Sequence, residues 1–233
     1  MLTAEDRKAL IEMSEAHRKA DEFEQGDGYS CSIGCSVRDL QKLGRVDASL
    51  NPYSHKTVSE LWGVPLHIAR LFDAIFEGLP KSQAVKWTTR WQRVLREGGD
   101  YSLVWPKLAV WLLTDEEHGV RRFVLGDESK RQREAVDHVA QLWQRVINGE
   151  SVESLREEFN AAADAAARAA VAAAVAADAA VAAVAADAAY AAANAAVAAD
   201  AADAAVAAYA ADADRNRFWR AISDKLIELL QAC

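Results

Sequence analysis

The chain has few of the residues that break helices. It holds only 11 glycines and 4 prolines in 233 residues, and none of either follows Gly149. The Asn148-Gly149 pair is a natural helix stop. We therefore predict a helical body over residues 1–149, an alanine-rich array over 150–214, and an amphipathic C-terminal helix over 215–233 that packs back on the body.

Cysteines and long apolar runs are also scarce. Three cysteines are too few for a disulfide scaffold, so a reducing cytoplasm is the expected compartment. No run of about 18 large apolar residues is present, so no membrane span is expected. Residues 1–18 are charged and amphipathic and lack the apolar stretch of a signal peptide. Together these features predict a cytoplasmic protein.

An excess of positive charge and the common catalytic motifs are missing as well. The formal net charge is −8, which argues against direct nucleic-acid binding. The chain contains no dinucleotide-binding glycine motif, phosphate-binding loop, zinc-protease motif or nucleophile elbow. We therefore assign no catalytic residue and favour a non-enzymatic protein.

Alanine is the most abundant residue type in the chain. Residues 161–214 contain 37 alanines and repeat Ala-Ala-X, which inflates the hydrophobic content of the chain to 52%. Alanine is the best helix former. Because three residues turn a helix by about 300°, however, the X side chains visit every side of it. A single projecting rod and two or three helices packed through alanine faces are both compatible with this repeat. We favour packed helices or a long hairpin, with a break at Asn194.

The array is a candidate binding surface. Tyr190 and Tyr209 are its only aromatic residues and are the expected anchors for a partner, beside the acidic Asp187, Asp200 and Asp203. The close approach of alanine helices also offers a homodimer surface. The alternative is a low-complexity spacer without a binding role.

The sequence of the body, residues 1–149, predicts an all-α fold of short helices. A cap is expected at Thr3, a glycine-rich loop over residues 26–36, a helix over 37–43, and a capping box from Thr57 to Glu60. Residues 120–125 are the one short strand candidate. Tryptophans fall mostly at helical core spacings, which predicts a tryptophan-rich core; they are Trp62, Trp87, Trp91, Trp105, Trp111 and Trp143.

Cys31 and Cys35 form the sharpest chemical pattern. Their spacing lies in the range seen for zinc ligands, with His55 as the first candidate for a third ligand and His67 and His17 as others. A thiol nucleophile with His55 as its base is a second interpretation. The third interpretation is that they are two small, semi-buried residues in a tight loop without a chemical role. Zinc is thus the only cofactor that the sequence suggests.

Arg121 and Arg122 form a small basic group. They could hold an anionic ligand such as a nucleotide, although acidic residues lie near them in the sequence. A solvated helix surface is the alternative.

Several segments resemble a group of uncharacterised phage and prophage proteins. They include Gly34-Cys35-Ser36-Val37, His55, Gly63-Val64-Pro65, and residues 69–80, 100–103, 111–115 and 224–230. The resemblance implies a mobile genetic element, in which small helical proteins often inhibit host defence. It leads us to expect a non-enzymatic, anti-CRISPR-like protein that inhibits or sequesters a bacterial defence component. A Cys/His metal or thiol site and a small anionic ligand are the alternatives.

Overall fold

The computed structural model describes residues 1–27, 29–123, 130–175 and 212–233. These ranges contain nine α-helices and no strand, which confirms the predicted all-α fold. None of their helices has the length and apolar character needed to cross a membrane. The helices are α1 (Ala4–Lys19), α2 (Ser32–Lys42), α3 (His55–Trp62), α4 (Leu66–Gly78), α5 (Lys81–Val94), α6 (Val104–Thr114), α7 (Lys130–Ile147), α8 (Arg156–Val175) and α9 (Asp212–Gln231).

The chain divides into two compact units. The first comprises Met1–Ser102 and Ile222–Cys233, and the second comprises Leu103–Ala221. The first unit therefore holds α1 to α5 and the last turns of α9. The domain limits predicted near residues 149 and 214 stay predictions, because most of the segment between them lies outside the described ranges.

Stacked aromatic rings form the core of the first unit. The Phe72 and Trp91 rings stack with centroids 4.4 Å apart, and Trp62 meets Trp91 edge-on at 5.3 Å. All three side chains are fully buried. The indole Nε1 of Trp91 donates to Ser32 Oγ at 3.1 Å, so the one polar atom of that ring is also satisfied. Five of the six tryptophans that the spacing assigned to the core are buried, and Trp111 is half-buried; the five are Trp62, Trp87, Trp91, Trp105 and Trp143.

Helix α1 begins at the cap that the sequence predicted. The hydroxyl of Thr3 accepts from the backbone N–H of Asp6, and the Asp6 carboxylate accepts from the backbone N–H of Thr3. This reciprocal pair satisfies two of the backbone donors that a helix start leaves free.

Helix α2 begins earlier than predicted. The sequence predicted a loop over residues 26–36, but the helix starts at Ser32, with Cys31 as its N-cap. The Cys31 Sγ accepts from the backbone N–H of Gly34 at 3.4 Å. Ile33 and Cys35 are fully buried. Burial of this face outweighs the low helix propensity of glycine, which is why the prediction from composition was wrong.

Helix α3 also begins before its predicted cap. Its N-cap is Ser54, whose hydroxyl accepts from the backbone N–H of Thr57, so Thr57 lies inside the helix. Both residues are good cap types, and the sequence pattern alone did not separate them.

The second unit packs α6, α7 and α8 around another aromatic group. Trp105 meets Trp143 edge-on at 6.3 Å, and Trp143 contacts Phe159 at 4.7 Å. The predicted strand over residues 120–125 is wrong where the structure describes it. Val120–Phe123 forms one turn of 3₁₀ helix.

The array is described only at its two ends, the second of which, residues 212–214, forms the start of α9. Helix α8 runs through its first residues to Val175, and residues 176–211 lie outside the described ranges. The choice between rod and packed helices, and the predicted break at Asn194, therefore concern residues that are not described.

Candidate functional site

Three potential metal ligands come together in the first unit. Cys31 caps α2, while Asp73 and Glu77 lie one turn apart on the same face of α4. The Cys31 Sγ and one carboxylate oxygen from each acid all lie within 4.8 Å of one another. Across the described ranges, this is the one group of three or more such donors.

The surroundings of this cluster are polar on one side and buried on the other. Cys31 is 2% exposed, Asp73 is half-buried and Glu77 is exposed. The His55 Nε2 donates to Asp73 Oδ2 at 3.1 Å, and the backbone N–H of Gly26 donates to Glu77 Oε2 at 2.7 Å. The other carboxylate oxygen of Asp73, Oδ1, is buried, and the Cys31 thiol hydrogen-bonds to the Asp73 carboxylate.

Burial controls the acid–base state of the cluster. It raises the pKa of the Cys31 thiol to about 12, and the negative charge of Asp73 adds to this effect. Burial also raises the pKa of Glu77. The His55 imidazole already has a hydrogen-bond partner, the Asp73 carboxylate. A thiol with this pKa is protonated at neutral pH, which disfavours the thiol-nucleophile interpretation.

The predicted ligand set is only partly brought together. Cys35 is not a member of the cluster; its Sγ donates to the Ser30 carbonyl at 3.5 Å and accepts from Arg38 Nη2 at 3.1 Å. Burial raises the pKa of the Cys35 thiol to about 11. His55 reaches the cluster through Asp73.

The other candidate histidines lie elsewhere in the first unit. His17 is buried with its Nε2 2.9 Å from Asp39, and His67 is half-buried on α4. The two acids of the cluster were missed by the sequence reasoning. Their spacing of four residues on a predicted helix was the available signal.

A groove lies between α1, α5 and the last turns of α9, all within the first unit. Its volume is about 900 Å³. Helix α5 contributes a stripe of Lys86, Arg90 and Arg93, and this helix contains no acidic residue. We call this cavity the α1–α5–α9 groove; it is lined by Glu15, Arg18, Lys86, Thr89, Arg90, Arg93, Val94, Asp224, Ile227, Glu228 and Gln231.

Each arginine of the groove has a carboxylate partner, and Lys86 makes no ion pair with any carboxylate that the structure describes. Arg93 and Arg18 share the Glu15 carboxylate, at 3.0 and 2.7 Å, and Arg90 Nη2 lies 2.7 Å from Asp224 Oδ1. The hydrogen bond from Arg18 is the main cause that lowers the pKa of Glu15. Thr89 is also part of the lining but is only 2% exposed.

The predicted anionic-ligand residues lie in the second unit and already have partners. The Arg121 Nε lies 2.9 Å from Asp137 Oδ1, and Arg122 Nη1 donates to the Glu117 carbonyl. The predicted partner-binding residues all lie outside the described ranges; they are Tyr190, Tyr209, Asp187, Asp200 and Asp203.

Comparisons with known proteins gave no relative for this chain. No protein-family model, no curated protein and no solved structure matches it.

Proposed function

We propose that the chain is a non-enzymatic binding protein that inhibits or sequesters a bacterial defence component. In this proposal the α1–α5–α9 groove holds an acidic segment of that component. The groove carries the proposal, because it is a cavity of about 900 Å³ with three basic residues along one wall, Lys86, Arg90 and Arg93, in a protein of net charge −8.

The basic residues of α5 favour an acidic segment as the occupant of the groove. Lys86, Arg90 and Arg93 follow one another at spacings of four and three, so their side chains share one side of α5. An acidic helix or extended segment can place carboxylates at matching intervals along this stripe. Opposite charges steer encounter and fix the register of such a complex.

The polar and apolar groups of the groove add to this preference. Thr89 and Gln231 are the uncharged polar residues of the lining. Ile227 and Val94 supply apolar surface in the same cavity. An occupant with both acidic and apolar side chains matches this lining.

The protonation state of the two buried thiols, Cys31 and Cys35, also supports a non-enzymatic binding role. Burial raises the pKa of Cys31 to about 12 and that of Cys35 to about 11. Both thiols are therefore protonated at neutral pH, and neither is the activated nucleophile that covalent catalysis needs.

A phage plating assay with two matched variants tests the proposal. The groove variant carries Lys86→Gln, Arg90→Gln and Arg93→Gln. The control variant removes three exposed lysines outside the groove, with Lys8→Gln, Lys56→Gln and Lys81→Gln. Both variants lose the same net charge. We expect the wild-type chain and the control variant to protect a phage on a host with an active defence system, and the groove variant to fail.

The result also separates the alternatives. Equal protection by all three proteins would exclude the groove as the binding surface. No protection by any of them, across hosts with different defence systems, would contradict the anti-defence function. A nucleotide that stabilises the wild-type chain but not the groove variant against heat would instead assign the groove to a small anionic ligand.

The role of the array is tested separately. Tyr190→Ala with Tyr209→Ala removes both predicted anchors from the residues that are not described. If the array contacts the partner, this double variant loses protection while the groove remains intact. Full protection by the double variant would favour the spacer interpretation.

A further inference from the structure

We propose that Cys31, Asp73 and Glu77 form a binding site for a divalent transition-metal ion, with Zn²⁺ as the ion that fits best. This inference is independent of the groove, since the two share no residue. It replaces the predicted set of Cys31, Cys35 and His55 with the ligands that the fold places together.

The backbone fixes where the three donors stand. Asp73 and Glu77 are separated by one turn of α4, and Cys31 is held at the start of α2, which packs against α4. Bonds to Zn²⁺ are about 2.0–2.3 Å long. Donors within 4.8 Å of one another can therefore reach one ion after small rotations of the carboxylate groups.

The two carboxylates of the cluster repel each other. The Asp73 carboxylate interacts with both His55 Nε2 and the Cys31 thiol, and its charge contributes to the raised pKa of Glu77. A cation bound between the two carboxylates would remove this repulsion.

The types of donor atom select the ion. Mg²⁺ and Ca²⁺ prefer sites made entirely of oxygen, so a cysteine ligand argues against both. A mixed set of thiolate and carboxylate ligands suits Zn²⁺, and three protein ligands leave one position for water. Metal binding displaces the thiol proton, so the high pKa of free Cys31 makes binding weaker at lower pH without preventing it.

His55 is a positioning residue in this proposal. Its Nε2 donates to Asp73 Oδ2 at 3.1 Å and orients that carboxylate towards the other donors. Mutation of a residue that orients a metal ligand in this way typically weakens metal affinity by about 10–100-fold.

A Co²⁺ titration of the reduced full-length protein tests the site. Co²⁺ substitutes for Zn²⁺ and gives a near-ultraviolet charge-transfer band only when a thiolate binds it. The titration uses a Cys233→Ser background, because Cys233 is the least buried of the three free cysteines. We expect the band to saturate at a single equivalent and to disappear when Zn²⁺ is added.

The two buried cysteines on α2 provide a matched comparison. Cys31→Ser should abolish the band, whereas Cys35→Ser should retain it. Glu77→Gln alters an exposed side chain and should leave the circular dichroism spectrum unchanged while weakening Co²⁺ binding at least about tenfold. His55→Ala should weaken binding without removing the band.

Three outcomes would overturn the proposal. The first is no charge-transfer band in the background protein. The second is a band that survives Cys31→Ser or is lost in a folded Cys35→Ser protein. The third is unchanged Co²⁺ affinity in Glu77→Gln, a result that does not depend on whether the cysteine variants fold.

Discussion

The Arg90 Nη2 lies 2.7 Å from Asp224 Oδ1, which joins α5 to the last turns of α9 on the edge of the groove. Both side chains are largely in solvent, at 44% and 66% exposure. Such pairs contribute only about 0–1 kcal/mol to folding. Asp224 therefore affects the charge of the groove more than the stability of the fold.

Asp224→Asn should strengthen binding of an acidic partner. The substitution leaves Arg90 without its carboxylate and makes the groove more positive. We expect a dissociation constant about 2–5-fold lower, since an exposed pair is worth up to about 1 kcal/mol. Titration calorimetry measures the change. Weaker binding would contradict the role of positive charge in the groove.

Trp91→Ala should destabilise the first unit strongly. The ring is fully buried, stacks on Phe72 at 4.4 Å and donates to Ser32 Oγ. Truncation of a buried aromatic residue costs about 3–5 kcal/mol. Urea unfolding measures the loss. Trp91→Phe keeps most of the ring and should cost less; equal losses in the two variants would show that the stacked ring contributes little.

His17→Ala should also be costly, for an electrostatic reason. Asp39 is fully buried, and both of its carboxylate oxygens lie 2.9 Å from His17 Nε2. Lys42 is a second partner at 3.2 Å. Removal of the imidazole leaves a buried carboxylate with one partner, so we expect a loss of about 3 kcal/mol in urea unfolding. Gln in place of His17 can donate to Asp39 and should restore part of the stability. A loss below about 1 kcal/mol would contradict this interpretation.

Stability should decrease as the pH falls, because His67 is half-buried in its neutral form. Burial lowers its pKa to about 4 in the folded protein, against about 6.5 for an unperturbed histidine. The unfolded chain therefore binds a proton first as the pH falls. Neutral His67 makes its full contribution to the free energy of unfolding above about pH 6.5, and this contribution decreases towards pH 4. Because the ring is half-buried, we expect a change of about 1–2 kcal/mol.

Two histidine variants measure this effect. Urea unfolding from neutral pH down to about pH 4 should show a shallower decrease for His67→Gln than for the wild-type chain. His138 is exposed, so His138→Gln should follow the wild-type curve. Parallel curves for all three proteins would mean that His67 titrates alike in the folded and unfolded chain.

Local rules predicted the fold class and the start of α1. The Thr3 cap and the buried tryptophans follow from side-chain chemistry and helical spacing alone. The start of α2 did not, because burial of Ile33 in tertiary structure overcame a glycine that local propensity places in a loop. Sequence reasoning was most reliable for features that depend only on residues close together in the chain.

The candidate sites show the same limit. Cys31 was selected by its spacing from Cys35, but the fold places it beside Asp73 and Glu77, more than 40 residues away in the chain. The groove likewise combines α5 with residues 224–231, and that juxtaposition depends on tertiary packing. The run of basic residues in α5 was visible, but not the cavity that it borders.

The dissociation constant of the defence component against which the chain protects a phage in the plating assay tests the proposed function most directly. It should be measured for the wild-type chain, the groove variant and the control variant at low and high salt. We expect the groove variant to bind at least about tenfold more weakly, with less dependence on salt, while the control variant matches the wild-type chain. Equal constants for the groove variant and the wild-type chain would contradict the groove as the binding site.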